Sequence, residues 1–219
     1  MRPTVFPLRD GQTSLAHDPA TADLALGANA AHLCVDMQRL FSSAGPWAML
    51  WMERVLPNVA RLVERAPERT LFTRFIPPLK AEEAHGRWRA YYRKWANLTR
   101  ERLDASLLDL MPELARHVPP ARVFDKFVYS AFANGELHPF LRKRGVDTLI
   151  VSGSETDVCV LSSALQAVDL GYRVVIARDC VCSASDESHD ALLSLYSRRF
   201  SAQIEVAEAE EILEAWRSS

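Results

Sequence analysis

The chain has 219 residues, 48% of them hydrophobic and 25% charged, enough for one well-buried core and short for two full domains. Its 26 basic and 28 acidic residues leave a net charge of -2, with no basic excess for nucleic acid or an anionic membrane surface. No apolar run is long enough to span a bilayer, and "MRPTVFPLRDGQT" lacks the apolar core of a signal peptide, so a cytoplasmic protein is expected. Its cysteines, at 34, 159, 180 and 182, are then expected as reduced thiols. None stands at zinc-site spacing, and a redox role for the close pair Cys180 and Cys182 is a weaker reading than packing.

In chain order, residues 1–28 carry Pro3, Pro7, Gly11 and Pro19 without a sustained period, which predicts an extended arm ahead of one domain over 29–219. "AHLCV" (31–35) reads as a buried strand. "MLWMERVLPNVARLVERA" reads as a helix with Leu50, Val55, Val59, Leu62 and Val63 near one face, Pro57 marking a kink or a new first turn. "TLFTRF" is a second strand and "RVF" (122–124) a third. A helix ending near Arg144-Gly145 follows, then "TLIVS" as a fourth strand. A helix over 158–170 stops at Gly171. "RVVIA" is a fifth strand, "DESHDALLSLYSRRF" a helix, "AQIEV" a sixth strand and "AEEILEAW" a closing helix. Six strands interleaved with helices predict a three-layer α/β/α, Rossmann-like fold, its mostly parallel sheet covered on both faces. Ligands of such sheets bind beyond the carboxyl ends of the strands, at the switch point.

Three residues stand at strand ends: Asp36 in "LCVDMQRLF", Lys126 in "RVFDKFVYSAF", and Cys159 across the loop "GSETDV" from the fourth strand. A thiol at a helix N-terminus beside a cation is expected to have a lowered pKa, and a carboxylate could carry its proton. Alone, each has a plainer reading: a packed cysteine, a helix N-cap aspartate, a solvated lysine. Their coincidence at the ends of parallel strands favours chemistry.

The segments "CVDMQ…F", "DKFVYSAF" and "GSETDVCVLSSALQAVDLGYRVVIARDC" together resemble the isochorismatase-like cysteine hydrolases, which include nicotinamidases, N-carbamoylsarcosine amidohydrolases and biuret hydrolases. The resemblance implies a Cys–Asp–Lys triad on Cys159, Asp36 and Lys126, and a non-proline cis peptide between Ser154 and Glu155. It also implies that the backbone N–H groups of Glu155 and Cys159 form the oxyanion hole. The implied reaction is C–N hydrolysis of a small amide, carbamoyl or ureido substrate through a thioester. Enol-ether hydrolysis of the isochorismatase type, or a non-catalytic binding protein of the same fold, are the alternatives. Nicotinamidases carry an Asp-x-His metal motif after the second strand. Here that place reads "TRFIPP", with Phe75 and Pro77 at the ligand positions and His85 alone nearby, so no metal or other cofactor is expected and nicotinamide is disfavoured. Glu155 is larger and more acidic than the usual residue at its position.

The insert over 80–105 is rich in aromatic and basic residues. Trp88, Tyr91, Tyr92 and Trp95 recur at helical spacing, as a face packed on the sheet or a second subunit, or as a lid over the pocket. In the lid reading Trp88 lines the pocket with Phe41 and Trp47, and Arg74 or Arg87 binds a substrate carboxylate. The relatives imply a homodimer or homotetramer.

Overall fold

A computed structural model describes residues 24–49 and 51–216; the arm predicted over 1–28 and Leu50 of the predicted helix face therefore lie largely or wholly outside the described residues. Six strands form one sheet: β1 (Ala30–Val35), β2 (Thr70–Phe75), β3 (Arg122–Lys126), β4 (Thr148–Ser154), β5 (Arg173–Cys182) and β6 (Ile204–Ala207). Their order is β3-β2-β1-β4-β5-β6 and every pairing is parallel, so the chain reverses its direction of travel between β1 and β4. That pair is the switch point, where the carboxyl ends of two central strands open a crevice.

Among the described residues seven helices cover the sheet: α1 (Met52–Arg65), α2 (Gly86–Lys94), α3 (Pro112–Ala115), α4 (Leu137–Lys143), α5 (Cys159–Asp169), α6 (Asp186–Arg198) and α7 (Ala209–Ala215). Strand side chains alternate between two cores. Cys34, Ile150 and Val175 pack with Val59 and Leu62 of α1 and Ile212 of α7. Leu33, Val35, Val151 and Ile176 pack on the other face with Leu141 of α4, Val160 and Ala164 of α5 and Tyr196 of α6. The three layers expected from the sequence are thus present.

Helix α1 runs through Pro57 as one helix. The proline removes a single backbone donor, and the buried face of Val55, Val59, Leu62 and Val63 holds the next turns in place. Gly145, at φ +67, caps the end of α4 as expected. Strand β5 continues past "RVVIA" to Cys182: a register irregularity opposite Val151 and Gly153 lets it resume pairing at Val181 and Cys182, which alternation alone does not reveal. Inside the sheet, His32 Nε2 and Ser152 Oγ lie 2.7 Å apart, and complete burial lowers the histidine pKa to about 3, keeping the imidazole neutral. Among the described residues no helix is long and apolar enough to cross a membrane.

Candidate active site

At the switch point Asp36 leaves β1 with φ +50, a left-handed conformation that aspartate tolerates better than most residues. Its N–H donates to the Thr73 carbonyl at 3.2 Å, the Thr73 hydroxyl donates to its Oδ1 at 2.7 Å, and its carbonyl accepts from Ser154 Oγ at 3.1 Å. Two residues on, the Gln38 side chain accepts from the Phe75 N–H (2.7 Å) and donates to the carbonyls of Phe75 (3.2 Å) and Leu108 (2.8 Å). The ends of β1 and β2 are locked together, and the carboxylate is fixed in a fully buried position.

Lys126 is the last residue of β3, two strands from β1 and so about 9.6 Å away across the sheet. Its side chain crosses over β2, passing above the Phe75 ring with Nζ 5.0 Å from the centroid. The ammonium has three neighbours for its three donors: Asp36 Oδ2 at 2.7 Å, the Val128 carbonyl at 3.1 Å and Cys159 Sγ at 3.3 Å. Burial disfavours the ammonium, but the Asp36 carboxylate and Cys159 outweigh it and raise the Lys126 pKa.

Cys159 is the first residue of α5. The turn before it contains the cis peptide Ser154–Glu155. Thr156 is held on three sides: its N–H donates to the Cys182 carbonyl (2.9 Å), its hydroxyl pairs with His189 Nδ1 (2.9 Å), and its carbonyl accepts from Tyr196 Oη (3.0 Å). Both side-chain partners come from α6, and the Cys182 contact needs the extension of β5. Sequence reasoning missed Thr73, Gln38 and His189; polar residues within or just beyond an otherwise apolar strand were the available signal for the first two.

The expected lowering of the Cys159 pKa is overturned. Burial, and then the charge of the Asp36 carboxylate, push it up, and Lys126 opposes them without prevailing. Both favour a protonated thiol as the resting group. Below its pKa the thiolate fraction grows about tenfold per pH unit, so alkylation of Cys159 by iodoacetamide is expected to accelerate steadily from about pH 7 to about pH 9.5. It should stay ahead of Cys34, Cys180 and Cys182, which have no exposed surface or almost none. A rate that levels off below about pH 8 would mean a preformed thiolate.

Aromatic rings roof the site. Phe41 stacks on Trp47 at 5.9 Å, and Trp47 lies 6.0 Å from Phe75 and 6.2 Å from Tyr91. Trp88 meets Phe75 at 6.3 Å and Tyr129 at 4.7 Å. A cleft of about 460 Å³ opens between Arg87, Trp88 and Tyr91 of α2, Tyr129 and Ser130 beyond β3, and Ser162, one turn after Cys159. The predicted stripe is shorter than its spacing suggests: α2 ends at Lys94, and Trp95 turns outward beneath the Lys94 ammonium. Arg74 is not brought to this rim. Its guanidinium pairs with Asp125 at 2.7 and 2.9 Å and faces Asp109, in a separate groove with Arg39 and Pro112. The Glu155 carboxylate is half-buried; burial and then the charge of Asp157 raise its pKa, and Tyr91 and Tyr129 both sense its charge. No group of three or more His, Cys, Asp or Glu side chains placed to hold a metal ion occurs among the described residues.

The isochorismatase domain model matches residues 30–208. The chain belongs to the isochorismatase family. Among its relatives, the maleamate amidohydrolase of Pseudomonas putida is 37% identical over 32% of this chain and 33% of its own length. A probable inactive nicotinamidase of Arabidopsis thaliana is 28% identical over 74% of this chain and 85% of its own. The chain spans about a third to a half of the curated relatives that it matches at 36–37% identity. A cysteine hydrolase structure from Pseudomonas syringae pv. phaseolicola 1448A superposes with a TM-score of 0.74 at 20% identity, covering 85% of this chain and 92% of that one, which establishes the shared fold.

Proposed function

We propose that the protein is a metal-independent cysteine hydrolase that cleaves the C–N bond of a small amide, carbamoyl or ureido compound. The observation that carries this reading is the buried Lys126 ammonium touching both Asp36 Oδ2 and Cys159 Sγ. In the proposed cycle Cys159 Sγ attacks the carbonyl carbon as its proton passes to Asp36. Asp36 then delivers that proton to the departing ammonia or amine, leaving a thioester. Water, deprotonated by the same carboxylate, attacks the thioester and releases the acid and the thiol. Lys126 balances the negative charge that moves between sulfur and carboxylate. The N–H groups of Glu155 and Cys159 serve as oxyanion donors, each worth about 3 kcal/mol in such sites.

The named amidohydrolase among the relatives supports C–N hydrolysis, and the relative named as inactive makes a binding role the reading to test against. The aromatic roof, with Phe41, Trp47 and Trp88, and Arg87 at the mouth are proposed to bind substrate. Assembly as a homodimer or homotetramer is supported by the exposed rings of Phe127 and Tyr129 just beyond Lys126. A reducing compartment such as the cytoplasm suits a free nucleophilic thiol.

An ammonia-release screen over small amides and carbamoyl compounds, with Cys159→Ala as control, tests the proposal. Release by the native protein and its loss in the variant are expected. Release that survives the substitution would show that Cys159 is not the nucleophile of the C–N cleavage, and no release with any compound favours the enol-ether hydrolase or the binding protein.

A further inference from the structure

The loop between β4 and α5 is tied to the junction of β5 with α6. The Thr156 N–H donates to the Cys182 carbonyl, Ser183 Oγ donates to Asp157 Oδ1, and Tyr196 Oη of α6 donates to the Thr156 carbonyl. The Thr156 hydroxyl pairs with His189 Nδ1 of α6 at 2.9 Å. Thr156 and Tyr196 are fully buried and His189 nearly so, its imidazole 5.9 Å from the Trp51 ring. Within the loop, the Glu155 carbonyl accepts from the N–H groups of Val158 and Val160 at 3.1 and 3.0 Å. Both polar groups of the peptide joining Glu155 to Thr156 are therefore held, the C=O by the start of α5 and the N–H by β5. The N–H groups of Glu155 and Cys159, the proposed oxyanion donors, find no backbone acceptor among the described residues. A buried hydroxyl–imidazole pair fixes direction as well as filling space, which apolar side chains of the same size would not do.

We infer that His189 is a positioning residue, which acts through the Thr156 hydroxyl to aim the Glu155 N–H at the carbonyl oxygen that Cys159 attacks. This rests on the reading of Cys159 as nucleophile and of the Glu155 N–H as an oxyanion donor. His189 itself does not touch the substrate. An oxyanion donor acts at the place the oxygen takes in the transition state, so a loop displaced by about 1 Å loses rate while substrate binding is largely kept. The Cys159 thiol is set by α5 and by the Lys126 ammonium, not by this pair, and keeps its reactivity toward a reagent that develops no oxyanion.

Thr156→Val and His189→Leu each remove the pair, whereas Thr156→Ser and His189→Asn keep a hydrogen-bonding atom on each side. Two measurements compare them with the native protein. The first is kcat and KM for the amide that releases ammonia fastest in the screen. The second is the rate of Cys159 alkylation by iodoacetamide, a displacement at saturated carbon. In Thr156→Val and His189→Leu the inference predicts a kcat lower by about 10- to 100-fold, with KM within about threefold and alkylation within about twofold of native. The serine and asparagine variants should keep kcat within about threefold of native, and the double variant Thr156→Val with His189→Leu should lose no more than either single change. Thr156→Val, the closest in shape, carries the test if His189→Leu does not fold. A kcat within about twofold of native in Thr156→Val would overturn the inference and leave the nucleophile intact. A parallel fall of kcat and alkylation that serine and asparagine do not rescue would also overturn it, because the pair would then hold the site as a whole. If the native protein releases no ammonia, C–N hydrolysis itself fails, and the inference with it.

Discussion

Replacing Lys126 with methionine is expected to destabilise the protein by about 3–5 kcal/mol and to abolish turnover. Lys126 and Asp36 are 1% and 0% exposed as side chains, and their charged atoms lie 2.7 Å apart. Removing the ammonium leaves a fully buried carboxylate without its Lys126 counter-ion, its remaining side-chain donor being the Thr73 hydroxyl. The same change removes the Lys126 charge that holds the Cys159 pKa down, so the thiol becomes harder to ionise. Urea denaturation measures the first effect and ammonia release the second. The double variant Asp36→Asn with Lys126→Met should recover much of the lost stability, because no unpaired charge remains, but none of the activity. A single variant destabilised by less than about 1 kcal/mol would show that solvent reaches the pair and that the charge network is weak.

Gly153→Ala is expected to cost at least about 4 kcal/mol, or to prevent folding. Gly153 has φ +109, and a Cβ there would sit 2.0 Å from the Val35 carbonyl oxygen and 2.7 Å from the Val35 nitrogen. Val35 pairs with Gly153 at the end of β1, immediately before Asp36, so the clash can be relieved only by parting the two strands that carry the site. Neither atom belongs to a flexible side chain. Thermal denaturation and soluble yield report the outcome. A variant that folds within about 1 kcal/mol of the native protein would contradict the close approach of β1 and β4.

Much of the site was legible in the sequence because parallel α/β sheets gather chemistry at strand ends. Asp36 and Cys159 follow apolar runs whose period is unambiguous, and both flank the switch point. Lys126 was legible as a residue at a strand end, but its route over β2 and its three contacts depend on strand order, which periodicity does not encode. The direction of the Cys159 pKa was misjudged for a related reason. A helix start and a lysine can be read locally, whereas burial and the charge of the Asp36 carboxylate are products of tertiary packing. The extension of β5 to Cys182 was hidden by a register irregularity, and with it the anchoring of Thr156. Arg74 and Arg87 looked equivalent as basic residues near the insert. Cross-strand pairing with Asp125 commits one to structure and leaves the other at the cleft.

The central claim is that Cys159 becomes acylated during turnover. Intact mass spectrometry of protein quenched in acid while it hydrolyses an amide identified in the ammonia screen tests this most directly. The account predicts an adduct equal to the acyl group, mapped to the peptide containing Cys159 and absent from Cys159→Ala. Full-rate turnover in the alanine variant, or an adduct mapped to another residue, would contradict it.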